Sequence, residues 1–384
     1  MSDYKLIADG VPCTDHQKSK EDRDFNVRRM LLFSGLYGAA SAIATMGVFD
    51  AYIYVQSRNS NKAVGWAESA SGISQIIVAF PAGYLVDKVS RALIISYCGI
   101  VSVIYSLFFI AAIYYDSRDF IYALLAIGGV LGAVQSTATF SLYADSVPQG
   151  FRAKAMMEVA VVTQLSMAIG PVVSMVLFFK FGDEWELPIM HSVLFVGFTL
   201  MIPGCFYLIG WRDIETEELI EEDETVDEDL KHQSYSTISN SCVPYMICFN
   251  DFITCVGAGM TVKFLPLFFK NEYRFTPCQV QALYAVYLLL FGIFTWLCQQ
   301  VAARLGRVQA ALLFSFLGVS CLFALASVTY LPVVLIVFLL RGALQNSIYP
   351  IDRSIIMDFV HSKSRVTMIV RQPFRQFNCF FRRS

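Results

Sequence analysis

The chain has 384 residues, 56% of them apolar and only 16% charged, with 32 Phe and 19 Tyr. Soluble domains carry about 25% charged residues, so this composition excludes a water-facing globule and implies a polytopic membrane protein. The net charge of −2 says nothing of nucleic acid, because the basic residues are scattered over loops and form no basic domain, so no nucleic-acid partner is expected; ten Cys without a CxxC pair or a Cys/His cluster indicate neither a zinc site nor a disulfide framework.

Residues 1–29 are polar and charged, with no cleavable signal sequence. Ten stretches then reach the roughly 20 apolar residues needed to cross a core of about 30 Å. They are 30–55, 63–86, 92–115, 119–143, 155–179, 187–210, 243–269, 278–302, 308–329 and 331–358. The short alternating segments of a membrane barrel are absent, so an all-α bundle is predicted. Residues 211–240 form the one long hydrophilic break, with eleven acidic residues between Asp213 and Asp229. Such a block repels itself and reads as a solvated linker. It divides a six-span half, 30–210, from a four-span half, 241–359. Counted over the short loops, Lys and Arg number eleven on the side of the N-terminus and linker against six on the other. The basic tail 360–384 adds to the first set. The positive-inside rule then predicts that both termini and the linker are cytoplasmic.

The halves repeat one another. Asp87-Lys88-Val89-Ser90-Arg91 after the second span answers Ala303-Arg304-Leu305-Gly306-Arg307 after the eighth. Asp145 and Arg152 answer Asp358 and Arg365, and Met46-Gly47-Val48 answers Met260-Thr261-Val262, with offsets of 213 to 216 throughout. A near-constant offset across a central linker indicates a duplicated unit.

Gly83-Tyr84-Leu85-Val86-Asp87-Lys88-Val89-Ser90-Arg91 resembles the loop 2–3 signature of the major facilitator superfamily, with Ser90 where Gly is usual. Gly170-Pro171 resembles the Gly-Pro signature of its proton-coupled antiporters, although Ser174 and Met175 replace the flanking glycines. The resemblance spans about 28–365 and implies a transporter of twelve helices with substrate bound between the halves. It also implies that Arg91 and Asp145, with Gly83, Asp87 and Arg152, belong to a cytoplasmic gating network. The tail beyond 360 holds six basic residues and no acid or long apolar run, so the last two helices are expected to be missing. Its four Phe suit an anionic membrane surface; an altered end of a truncated coding sequence is the alternative. The stripe Glu68, Gly72, Gln75, Ala79 and Gly83 on the second span suits close packing against one of the missing helices.

Charges at membrane depth are candidate functional groups by default. Asp50, Glu68 and Lys263 fall at one level, about 10 Å outward of the centre at 1.5 Å per residue. Asp50 and Lys263 lie on spans 1 and 7, which the repeat relates, and are expected to pair across the halves or to reach outer water. Arg341 lies too deep in the tenth span to snorkel, and Asp251 is its expected acid, with Gln345 and Asn346 one turn on. Gln135, Ser136, Thr137 and Thr139 offer polar side chains on the fourth span, and His191 begins the sixth near the outer surface. Tyr54, Trp185 and Trp211 fit an aromatic belt.

The leading reading is a secondary active transporter of a small solute working by alternating access. Arg341 favours an anionic group, and Asp50, Glu68 or Asp251 could couple protons, because desolvation raises a carboxylate's pKa. A truncated, non-transporting receptor or partner is the second reading. An enzyme is not expected, nor any cofactor or metal. The loops carry no nucleophile constellation and no phosphate-cradling glycine loop, and the chain has four His.

Overall fold

The computed structural model describes residues 13–148, 151–214, 249, 253 and 264–351; of 13–19, 152 and 153 it describes the backbone alone. Every long element among them is helical. The first half comprises α1 (Cys13–Thr45), α2 (Val48–Gln56), α3 (Asn61–Lys88), α4 (Arg91–Tyr114), α5 (Arg118–Asp145), α6 (Arg152–Phe181) and α7 (Leu187–Phe206). The second comprises α8 (Leu265–Tyr273), α9 (Pro277–Leu305), α10 (Arg307–Ser327) and α11 (Leu331–Asn346). Nine segments of the described residues are long and apolar enough to cross a membrane, α1 and α2 counting as one segment and α11 running on to Ile351. The span expected over 243–269 lies mostly outside the described residues.

Helices dominate because the bilayer offers backbone groups no water, so each N–H and C=O must pair within its own segment. What then holds the helices together is close packing rather than exclusion from water. α1 runs through the middle of its half, packed between α6 and α7, while α3 pairs with α5 and α4 sits between α5 and α7. The contact with α6 depends on Gly170, where a Cβ would collide with Ala42 and the α1 backbone. Ser174, where the resemblance expects glycine, donates its hydroxyl to the Ile43 carbonyl at 3.1 Å. A buried hydroxyl thus ties α6 to α1 one turn beyond the close approach.

Two apolar cores fill this half. One gathers Val48, Tyr52 and Ile53 of α2 with Phe109, Phe178 and Phe198, the rings of Phe109 and Phe198 stacking at 4.4 Å. The other, at the end carrying loop 88–91, holds Ile95, Leu142, Met156 and Trp211. The halves meet along α6 and α9.

Two expectations need correction. Span 1 is a broken helix: α1 begins at Cys13, well before the apolar run, and stops at Thr45. Tyr54 and Trp211 are not a membrane belt; they are 8% and 5% exposed. Trp211 Nε1 donates to the Tyr207 carbonyl at 2.9 Å, which a tryptophan facing the interface would have no need to do. The small-residue stripe on α3 is open in part, since a Cβ on Gly72 would meet nothing within 4 Å.

Candidate functional site

At the end of the bundle away from loop 88–91, the halves are stitched together. The chain breaks at Gly47, which has φ +81, and a Cβ there would lie 3.2–3.3 Å from Pro266 of α8 and the Tyr284 ring of α9. Glycine alone meets both demands, a left-handed backbone and close approach. Beside the break, Gln281 of α9 donates to the Met46 carbonyl at 3.0 Å. About two turns beyond, Asn271 donates to the Tyr54 hydroxyl at 3.1 Å. The loop after α6 docks on the same face: Trp185 Nε1 donates to the Phe275 carbonyl at 2.9 Å. The Asp183 carboxylate accepts from the Cys278 N–H at 2.8 Å, in the first turn of α9, where the helix dipole favours negative charge.

Lys270 completes this seam. Its ammonium lies 5.0 Å from the Tyr54 ring and 5.4 Å from the Trp185 ring, a cation from one half held by two π faces of the other. Burial lowers its pKa below the ordinary lysine value. Asp50 is 4% exposed and within electrostatic reach of the Tyr284 phenol. Its expected partner Lys263 lies outside the described residues. On the flank of α2, Asp116 accepts from Tyr52 at 2.8 Å and Gln56 at 2.7 Å. His191 lies 3.6 Å from the same carboxylate. His191 is therefore a partner of α2 as well as the start of a span. Glu68 is partly buried on α3.

Deeper in the second half, Arg341 is 7% exposed. A Cβ on Gly342 would overlap the Tyr287 ring, so that ring lies flat on the α11 backbone beside the guanidinium, whose electrostatic neighbour it is. Phe338 stacks on Tyr287 at 5.8 Å, and Asn346 donates to the Tyr287 hydroxyl at 2.7 Å. Among the described residues Arg341 Nε has no hydrogen-bond partner; Asp251, its expected acid, lies outside them. Gln345 packs over Gly318 of α10, so Asn346 is the residue that joins Tyr287. On α5, Gln135 accepts from Ser102 of α4 at 3.2 Å, an interhelical tie.

Among the described residues, the opposite end carries a cavity between the halves. A cavity of about 660 Å³ is lined by Leu31, Lys154, Glu158, Gln299, Arg307 and Ile351, among others. Around it the first half is braced internally. Arg91 pairs with Asp145, which is 5% exposed. Ser90 caps α4 by accepting from Leu93 N–H at 3.2 Å, and donates to Asp213, which also accepts from Ala92 N–H at 2.9 Å. The serine that replaces the usual glycine therefore serves as a helix cap. Buried Asn26 donates to Ser146 and to the Arg212 carbonyl at 3.1 and 2.8 Å. Gly83 is buried and Asp87 half-buried. The Arg152 side chain lies outside the described residues. Among the described residues no three His, Cys, Asp or Glu side chains group as a metal site requires.

The Major Facilitator Superfamily model matches residues 30–377. The chain belongs to that superfamily. The match runs twelve residues past the limit at 365 that the motifs indicated. Among curated proteins none matches the sequence. Solved superfamily structures share the fold. The nucleoside transporter NupG is 11% identical, with TM-score 0.62 over 93% of this chain and 89% of its own. The human organic anion transporter TETRAN is 14% identical, with TM-score 0.60 over 91% and 89%. A D-xylose–proton symporter is 14% identical, with TM-score 0.62 over 90% and 90%. These superfamily relationships make the chain a multi-pass membrane-transport protein. They also place the seam and the cavity at opposite ends of a transporter fold.

Arg341, Asp50 and the Arg91–Asp145 region were singled out from the sequence as candidates. Gln281, Asn271, Asp183, Lys270, Tyr284 and Tyr287 were not. Gly47 was the available signal for the seam: a glycine in the middle of an apolar span marks a break or a close approach.

Proposed function

We propose that this superfamily member is a secondary active transporter that moves a small solute by alternating access between its two halves. The observation that carries the reading is the asymmetry between the ends. Among the described residues, one end is closed by five cross-half hydrogen bonds, one of them from the Cys278 thiol to the Met175 carbonyl, and a cation–π clamp, while the other holds a cavity of about 660 Å³. That is one member of an alternating pair, and the contacts at the seam are ones that rocking could break. The Lys and Arg distribution supports a cytoplasmic position for the open, basic end and for both termini.

Arg341 and Asn346 with Tyr287 are the central polar group, and Asp50, Glu68 and Asp251 are the carboxylates placed to accept a coupled proton. Asp50 and Lys263 are proposed to meet when the outer end closes.

The test is flux. Proteoliposomes carrying the full chain and a panel of metabolites should take up at least one compound, and Arg341→Leu should abolish that uptake while the protein still inserts. Correctly inserted protein that moves nothing in the panel would favour the non-transporting reading. Normal uptake by Arg341→Leu would remove that residue from the site.

A further inference from the structure

The chemistry around Arg341 narrows the class of molecule that the central site takes. A guanidinium stays charged at any physiological pH, and burying it without a counter-charge is costly. Arg341 is 7% exposed, and its electrostatic neighbour among the described residues is a phenol, Tyr287, which brings no negative charge. The Tyr287 oxygen already accepts from Asn346 at 2.7 Å. A phenol has one proton to give, so with its oxygen engaged as acceptor the hydroxyl is left to donate. The ring cannot swing away, because it rests on Gly342 and is stacked by Phe338. The group therefore presents donors: the fork of Arg341 and the hydroxyl of Tyr287.

Such a set fits an oxygen anion, which accepts two parallel N–H bonds from the fork. No acid among the described residues is the electrostatic neighbour of Arg341, and a cation or a neutral polyol would bring it no counter-charge. The flank of the group is aromatic, with the Tyr284 ring 6.2 Å from Tyr287, which suits an organic body rather than a bare inorganic ion. The cavity at the open end has Lys154, Arg307 and Glu158 as the charged side chains of its described lining. Ile351, on its wall, ends the same apolar segment that carries Arg341. Ten residues separate them, about 15 Å along a helix.

We infer that the solute bound between the halves is a small organic carboxylate, held by the Arg341 guanidinium and the Tyr287 hydroxyl. The inference deepens the transport reading and rests on it, but its test reads binding rather than flux. The full chain in lipid nanodiscs is titrated with aromatic and branched aliphatic monocarboxylates, each beside its neutral primary amide, and thermal stabilisation gives Kd. At least one carboxylate should stabilise the protein while its amide does not. Arg341→Gln should weaken that carboxylate by about tenfold to hundredfold, the range for a charged hydrogen-bonded partner. Tyr287→Phe, which keeps the packing, should weaken it about 2- to 10-fold and stands in should Arg341→Gln fail to fold.

The inference is overturned if amides bind as well as carboxylates, if no carboxylate stabilises the chain, or if Tyr287→Phe and Arg341→Gln both leave affinity unchanged. Carboxylate binding without flux would count against transport and not against the site; flux of a neutral solute without carboxylate binding would do the reverse.

Discussion

Asn271 of α8 donates to the Tyr54 hydroxyl of α2 at 3.1 Å, joining residues 217 apart in the chain and on opposite halves of the transporter. Both belong to the short helical segments flanking the closed end, and Lys270 lies over the same Tyr54 ring. Tyr54→Phe removes the hydroxyl and keeps the ring. The loss of one hydrogen bond is worth about 0.5–1.5 kcal/mol, so reagent access to a cysteine placed at Asn59 should rise about 2- to 10-fold. The cation–π clamp should survive this change and fail in Tyr54→Leu, which should open the end further. Equal accessibility in wild type, Tyr54→Phe and Tyr54→Leu would show that this contact does not bias the gate.

Gly170 and Gly132 make a matched pair of helical glycines. At Gly170 a Cβ would collide with Ala42 of α1; at Gly132 nothing lies within 4 Å. Replacing a mid-helix glycine by alanine gains about 1 kcal/mol of helix propensity. Gly132→Ala should therefore be neutral or slightly stabilising. Gly170→Ala carries an overpacking cost of about 1–3 kcal/mol and should lower the melting temperature in detergent, Gly170→Val more so. A Gly170→Val protein as stable as wild type would mean that α1 and α6 are less closely apposed than described.

The positions of α3 to α7 and α9 to α11 were legible in the sequence because the bilayer makes an apolar run of fixed length obligatory. The apolar run reports the membrane, however, and not the helix. It could not reveal that α1 begins at Cys13, since the polar turns before Arg29 leave no hydrophobic signal. The break at Gly47 was marked by the glycine alone, and a left-handed glycine and an ordinary packing glycine look alike in a sequence. At the site, buried charge made Arg341 and Asp50 visible. Tyr54 was misplaced because an aromatic near a span end looks the same facing lipid as it does holding Lys270. Asp251 and Lys263 lie outside the described residues, and their roles stay as proposals.

Arg91 and Asp145 pair within the first half, so their contact braces α4 against α5 rather than linking the halves. Removing one partner of a fully buried pair costs about 3–5 kcal/mol. Here the Arg91 side chain is 23% exposed, and solvent screening lowers the expectation to about 1–3 kcal/mol. Asp145→Asn should reduce thermal stability by that order and Arg91→Gln by somewhat less. A charge-swapped double variant should recover part of the loss. Unchanged melting in Asp145→Asn would make the pair a surface contact without structural weight.

The proposed meeting of Asp50 with Lys263 is read by a double-mutant cycle on external cysteine accessibility, using Asp50→Asn and Lys263→Gln. Each single change should favour the state open at the seam, and the double variant should resemble either single. Additive effects would mean that the two charges never meet.

The central claim is that the two ends of the bundle open in turn. Spin-label pairs across each end, in lipid nanodiscs and with accessible native cysteines replaced, read it most directly. One pair, at Lys154 and Arg307, spans the cavity mouth; the other, at Asn59 and Arg274, spans the seam. Each pair should give two distance populations, and a ligand or variant that enriches the long distance at one end should enrich the short distance at the other by the same fraction. Single distances at both ends under every condition, or populations that lengthen together, would contradict alternating access for this chain.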